Sequence, residues 1–262
     1  MPIKRDWDRR IVRRLQRRRA AWRSRDRLLV EPVFILCTLR SGSTLLRVLL
    51  DSHSRLHAPH ETHLRYISVH LDRKWSERSM KAMKLDARGL EYLLWDRLLD
   101  RTLARSGKPT VVEKTPNNVF IADRLRECWP DARFVFLLRH PAAIARSRLS
   151  VQGERAEPEA NLDLIRRYCE ALEAARQAHT GHTVRYEELT AEPERVLRGV
   201  CSYLGVRFER GMVEYGRFRH GPYRAGLGDW KEKIRTGTVQ LAEPPPEVVP
   251  EPLVAITQAW GY

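Results

Sequence analysis

The chain has 262 residues, 42% of them hydrophobic and 8% aromatic, enough to bury a sizeable core in one domain. Its longest apolar runs, Val33–Cys37 and Phe134–Leu138, are five residues, far short of the ~20 that a membrane-spanning helix needs. The formal net charge is +15, and residues 1–30 hold twelve Lys and Arg against three Asp, so the body is only mildly basic and suits an anionic ligand without demanding nucleic acid.

Residues 1–30 read as a basic helical extension to a single domain over 31–262. Trp7, Ile11, Leu15 and Trp22 recur at helical spacings near one face. Either that stripe packs on the body, or the surrounding arginines meet an anionic carrier, a membrane surface or nucleic acid. The segment lacks the apolar stretch of a secretory leader, so the cytoplasm is the expected location. Val33–Thr38 reads as a buried strand and Thr44–Leu50 as a helix. Leu85–Ser106 is a long helix ending at Gly107, Thr110–Val112 a strand, and Asn117–Cys128 a helix closed by Pro130. Arg133–Leu138 is a second buried-type strand, and Pro141 opens a helix through Leu149. Glu159–His179 is a longer helix, Thr183–Tyr186 a strand, and Pro193–Leu204 a helix stopped by Gly205. Glu243–Pro252, rich in Pro and Glu, reads as an extended loop. Strands alternating with helices predict an α/β, three-layer fold with a central parallel sheet. Ligands of such sheets bind at the carboxyl ends of the strands.

Cys37, Cys128, Cys169 and Cys201 form no CxxC pair, so neither a zinc site nor a disulfide framework is expected. Thr38-Leu39-Arg40-Ser41-Gly42-Ser43-Thr44 lies between a buried strand and a helix. Backbone N–H groups at such a helix start, together with its dipole, attract an anion. Gly42 lets the backbone approach, and Ser43 and Thr44 offer hydroxyls. It is not a Walker A loop, because its cation, Arg40, precedes the glycine and no lysine follows; an ordinary strand–turn–helix link is the plain alternative. Arg139 ends a strand, where a guanidinium can grip a phosphate, and Ser147 lies about two turns into the next helix. Arg224-Ala225-Gly226-Leu227-Gly228-Asp229-Trp230-Lys231 combines two glycines with flanking cations; it reads as an anion-wrapping loop or a surface turn.

Taken together and in this order, these segments resemble the sulfotransferases that use 3′-phosphoadenosine 5′-phosphosulfate (PAPS) and release 3′-phosphoadenosine 5′-phosphate (PAP). Glu113-Lys114-Thr115-Pro116 and Arg185-Tyr186-Glu187-Glu188-Leu189 also fit, and the resemblance covers about residues 32–235. It implies a P-loop NTPase-like sulfotransferase architecture. It also implies that Arg40, Ser41, Gly42, Ser43 and Thr44 bind the 5′-phosphosulfate, and that Arg139 and Ser147 bind the 3′-phosphate. Tyr186 is expected near the adenine, and Arg224, Ala225, Gly226 and Trp230 in the segment closing over the nucleotide. The first loop departs from the hormone- and phenol-sulfating branch, having Arg40 for its lysine and Leu45 for its tryptophan. The Arg-Ser-Gly-Ser-Thr form is more like the bacterial and carbohydrate-type branches.

The implied reaction is in-line transfer of a sulfuryl group to an acceptor hydroxyl, with catalysis mostly by positioning and charge stabilisation. Arg40 and the loop amides are placed for the leaving phosphate, and Lys114 for the phosphosulfate or leaving group; a salt bridge is its plain alternative. An alcohol needs a general base at neutral pH. Glu61, in His57-Ala58-Pro59-His60-Glu61-Thr62-His63-Leu64, resembles the family's base candidate. His60 and His63 are alternatives. Read as two ligands on one helix, they lack an evident third, so no metal is expected. The sequence does not identify the acceptor: a small-molecule natural product, a lipid or a glycan is expected, a protein or carrier-tethered acceptor is the alternative, and Tyr66–Leu85, Val151–Glu159 and Gly211–Tyr223 are expected around its pocket. No nucleic-acid partner and no membrane span are expected, and the sequence leaves the oligomeric state open. The rival readings are a P-loop nucleotide-dependent kinase, and a binder of nucleic acid or anionic surfaces acting through residues 1–30.

Overall fold

The computed structural model describes residues 27–153, 157–221, 224 and 232–262. Most of the expected extension, together with Ala225, Gly226 and Trp230, therefore lies outside the described residues. Five parallel strands form one sheet: β1 (Val33–Cys37), β2 (Leu56–His57), β3 (Thr110–Glu113), β4 (Arg133–Leu138) and β5 (Gly181–Arg185), in the order β2-β3-β1-β4-β5. In register, Phe34 of β1 lies beside Glu113 on one side and Phe134 on the other.

All five residues of β1 are buried, as a central parallel strand covered on both faces requires. Successive side chains point to opposite faces, and the core divides accordingly. Phe34 and Leu36 enter one cluster, packed against Tyr92, Trp95 and Leu99 of α3 (Ala87–Ser106), Ile165 and Leu172 of α6 (Pro158–Ala178), and Trp260. Val33, Ile35 and Cys37 enter the other, packed against Leu46, Leu49 and Leu50 of α1 (Ser43–Asp51) and Leu197 and Val200 of α8 (Pro193–Tyr203). Two faces, each covered by helices, make the three-layer α/β fold that the strand–helix alternation predicts.

The remaining helices are α2 (Lys74–Ala82), α4 (Ala122–Cys128), α5 (Pro141–Gln152), α7 (Tyr186–Ala191), α9 (Glu232–Arg235) and α10 (Glu251–Ala259). Several boundaries differ from the sequence reading, four of them as follows. The long helix starts at Ala87 rather than Leu85, because the Asp86 carboxylate caps it by accepting from Gly89 N at 2.7 Å. Asn117–Cys128 divides into a 3₁₀ turn, Pro116–Ile121, and the helix α4. Pro158, not Glu159, takes the first position of α6, where its missing N–H is no loss. The last strand ends at Arg185, and Tyr186, expected as its final residue, opens α7. The two-residue strand β2 and the helix α2 were not anticipated; no residue of α2 is buried. The four cysteines are buried and free.

Beneath this layer Asp51, the last residue of α1, joins three distant segments. Its carboxylate accepts from Ala58 N at 2.9 Å and from His220 Nδ1 at 2.8 Å, with Lys108 Nζ 3.8 Å away. Burial pushes the Asp51 carboxyl up, but the hydrogen bonds from His220, His57 and Ala58 and the charge of Lys108 outweigh it and hold it well below the usual carboxylate range. A depressed folded-state pKa adds stability above the unfolded value of about 3.9, and that stability is lost as pH falls. Asp51→Asn should therefore lower unfolding stability by about 1–3 kcal/mol at pH 7. The gap between variant and parent should narrow between pH 5 and pH 3 in urea titrations.

Candidate functional site

At β1 the chain order reverses across the sheet, and the crevice beyond the carboxyl end of such a strand is where open α/β folds bind ligands. A cavity of about 550 Å³ lies there. It is lined from the first loop by Arg40, Gly42, Ser43, Thr44 and Leu45, from α5 by Ala143, Arg146, Ser147 and Ser150, and by Glu61, Arg139 and Tyr186. Tyr215, Lys233 and Glu243 close another side.

The loop is held in a conformation that side chains resist. Arg40 has φ 57° and Gly42 φ 81°, both in the left-handed region, and a non-glycine there is strained by order 1 kcal/mol or more. Ser41 Oγ donates to Thr38 O at 2.8 Å, and Arg139 donates to Arg40 O at 2.7 Å, so the turn is tied at both ends. Gly42 caps α1 with no side-chain hydrogen bond, so no side-chain oxygen competes at this cap with an anion at the first amides. The Tyr186 ring lies over Gly42, where a Cβ would meet its carbons at 2.2 Å. The Arg139 guanidinium sits 4.5 Å from the centroid of the same ring. Arg40 Nε donates to Ser147 Oγ at 3.4 Å. Burial presses the Arg139 pKa below the usual arginine range, while Tyr186 and Glu187 oppose that shift; a bound anion would offset the same desolvation.

Across the cavity, Lys114 follows β3 with a side chain only 1% exposed. Its Nζ pairs with Glu61 Oε1 and lies 3.5 Å from Thr44 Oγ1. One ammonium thus joins the first loop to the carboxylate. His63 Nε2 lies 3.7 Å from Glu61 Oε2. Desolvation, with the charges of Arg47 and His63, presses His60 below the usual imidazole range, and Glu61 opposes that shift. The stretch carrying Glu61 is anchored at both ends. Arg47 of α1 donates to Ala58 O at 2.8 Å, and Thr62 N and His63 N donate to Thr115 Oγ1 at 3.1 and 3.3 Å.

The structure brings Arg40, Gly42, Ser43, Thr44, Glu61, Arg139, Ser147 and Tyr186 to one cavity, and it sets Lys114 and His63 against Glu61. Ser41 is buried, with its hydroxyl turned into the loop, and Arg224 is exposed and is not among the lining residues. His60 and His63 do not share a helix, because residues 58–63 run without helical structure. Among the described residues no three His, Cys, Asp or Glu converge on a metal position. Of the three segments expected around an acceptor, Gly211–Tyr223 supplies Tyr215 as a described lining residue. The sequence reading missed Arg146, Lys233 and Glu243, and it missed Glu113 as a hub. For Glu113 the signal was an acid closing a strand directly after two valines.

Residues 32–210 match the model of the Sulfotransferase family. Nodulation protein NoeE of Sinorhizobium fredii is 29% identical over 221 residues, covering 70% of this chain and 52% of that protein. Protein-tyrosine sulfotransferase 2 of Gallus gallus is 23% identical over 226 residues, covering 81% and 60%. The chain spans little more than half the length of these relatives. The sulfotransferase domain from the curacin biosynthetic pathway superposes with a TM-score of 0.63 at 21% identity, covering 89% of this chain and 98% of that one; that likeness is one of fold. Among the described residues no helix is long and apolar enough to cross a membrane.

Gly42 and Gly107 separate strain from contact. Both have positive φ, but a Cβ at Gly107 meets nothing within 4 Å. Gly107→Ala should cost about 1 kcal/mol, whereas Gly42→Ala must also displace the Tyr186 ring and should cost at least twice that in urea unfolding. Equal losses would contradict the packing of Tyr186 on the loop.

Proposed function

The chain belongs to the Sulfotransferase family, and from that premise we propose that it moves a sulfuryl group from PAPS to a hydroxyl on a small molecule, lipid or glycan. The observation that carries this reading is the Lys114 ammonium set between Thr44 Oγ1 and the Glu61 carboxylate, two residues that line the loop cavity. A cation at that point can hold the sulfuryl oxygens of a donor seated on the loop. It also keeps a carboxylate beside the place where an acceptor must approach. Family membership supports PAPS as the donor, and the cationic cavity is of a size that accepts a nucleotide.

The residues divide the work as follows. Ser43, Thr44 and the loop amides around Gly42 take the 5′-phosphosulfate at the start of α1. Arg139 and Ser147 take the 3′-phosphate, and Tyr186, held against Gly42 and Arg139, stands near the adenine. The exposed Arg224, and Ala225, Gly226 and Trp230 outside the described residues, complete the nucleotide site. The acceptor oxygen attacks sulfur while Glu61 accepts its proton. A new oxygen–sulfur bond forms as the bond from sulfur to the bridging phosphate oxygen breaks. The electron pair goes to that oxygen, where Arg40, Lys114 and the loop amides meet the developing charge. His63, beside Glu61, can pass the proton to solvent, and His60 flanks the pair. The body 31–262 performs this chemistry, and the basic residues 1–30 suit contact with an anionic carrier or membrane surface.

Two variants test the assignments. Arg139→Ala should weaken PAP binding by about 1.5–3 kcal/mol by calorimetry, the loss of a charge-assisted hydrogen bond; unchanged affinity would remove the 3′-phosphate assignment. Glu61→Gln retains an oxygen for Lys114 and should keep PAP affinity while lowering PAP release from PAPS, over a panel of phenol and alcohol acceptors, by roughly 10²–10⁴-fold. Turnover near the parent value would remove Glu61 from the role of base.

A further inference from the structure

Glu113 is the last residue of β3 and fully buried. A carboxylate without water is costly unless donors surround it, and here they do. Its Oε1 accepts from Thr115 Oγ1 at 2.6 Å, from Thr62 Oγ1 at 2.8 Å and from Thr62 N at 3.3 Å. Its Oε2 accepts from Asn118 Nδ2. Thr115 and Asn118 lie within five residues of it, but Thr62 is 51 positions away. Thr62 directly follows Glu61.

The same small network fixes the residue on the other side. His63 has φ 53°, a left-handed conformation in a non-glycine residue, which persists only where the surroundings over-determine it. Its N–H donates to Thr115 Oγ1, the hydroxyl that itself donates to Glu113. The turn 61–63 therefore hangs by two backbone N–H groups and one hydroxyl from a platform built on Glu113. What projects from that turn toward Lys114 and the first loop is the Glu61 carboxylate.

We propose that Glu113 is a positioning residue for sulfuryl transfer: through Thr62 and Thr115 it sets the turn that aims Glu61 at Lys114 and at the acceptor hydroxyl. This inference rests on the reading of Glu61 as base. It gives a purpose to a buried acid that touches none of the cavity, and it requires shape as much as charge, since the network fails if the carboxylate withdraws. Desolvation pushes the Glu113 carboxyl upward, and the hydrogen bonds from Thr115 and Thr62 and the charge of Lys114 oppose that shift.

Two substitutions probe the link from opposite ends. Glu113→Asp keeps the charge and draws it back by one methylene. Thr62→Val keeps the shape and removes the hydroxyl donor, so the test survives if the first variant does not fold. Each should lower PAP release from PAPS by roughly 10–100-fold, the effect of a small misplacement of a reacting group, with PAP affinity held within about twofold. Thr62→Ser should restore most of the loss. Placed in a Glu61→Gln background, Thr62→Val should reduce turnover less than about twofold further, because the group it positions is already gone. Losses that multiply in that background, or PAP affinity falling in step with turnover, would overturn the inference. Normal turnover of Thr62→Val and Glu113→Asp beside an impaired Glu61→Gln would overturn it too while leaving the base assignment standing. Normal turnover of Glu61→Gln itself would overturn the assignment on which it rests.

Discussion

The site is organised around one buried cation. Lys114 stands at the end of a central strand, with a side chain 1% exposed, and an ammonium so placed must have a partner or lose its charge. Glu61 is that partner, and Thr44 Oγ1 is the next polar atom in reach. Removing either member of a buried pair leaves the other uncompensated, which typically costs about 3–5 kcal/mol. The geometry around Glu61 keeps the pair together, and under the proposed function an anionic donor on the first loop would meet a cation whose place has already been set.

Strain surrounds this pair on both sides. Arg40 and His63 both adopt left-handed backbone conformations; Arg40 lines the cavity, and His63 lies beside Glu61, which lines it too. Each is held by hydrogen bonds from another strand end: Arg139 beyond β4 grips Arg40 O, and Thr115 beyond β3 receives His63 N. A parallel sheet brings these strand ends together at one edge. The fold thereby supplies the restraint that local sequence preference would not.

Much of the fold was legible in the chain because it is written in short-range patterns. The unbroken apolar run Val33–Cys37, the prolines at Pro141 and Pro193, and the glycines at Gly107 and Gly205 each act within a few residues. The first loop was legible because its chemistry is contiguous from Thr38 to Thr44. Tyr186 was misplaced at a strand end because β5 passes into α7 with no linking residue to mark the change. The partnerships were harder to read. Glu61 and Lys114 were named separately, but their pairing spans 53 positions, and the Asp51–His220 bond spans 169. Such pairs arise from strand order, which no local pattern encodes. The surroundings of Glu113 were hidden for the same reason: its partner Thr62 lies 51 positions away in the chain.

The central claim is that this cavity holds a 3′-phosphorylated adenosine donor, and thermal unfolding with PAP, ADP and ATP–Mg²⁺ side by side tests it most directly. A ligand at a hundred times its dissociation constant adds about 2.7 kcal/mol of stability, so PAP should raise the melting temperature by several degrees while ADP and ATP–Mg²⁺ do so far less. Equal or greater stabilisation by ATP–Mg²⁺, or no shift with PAP, would contradict the account.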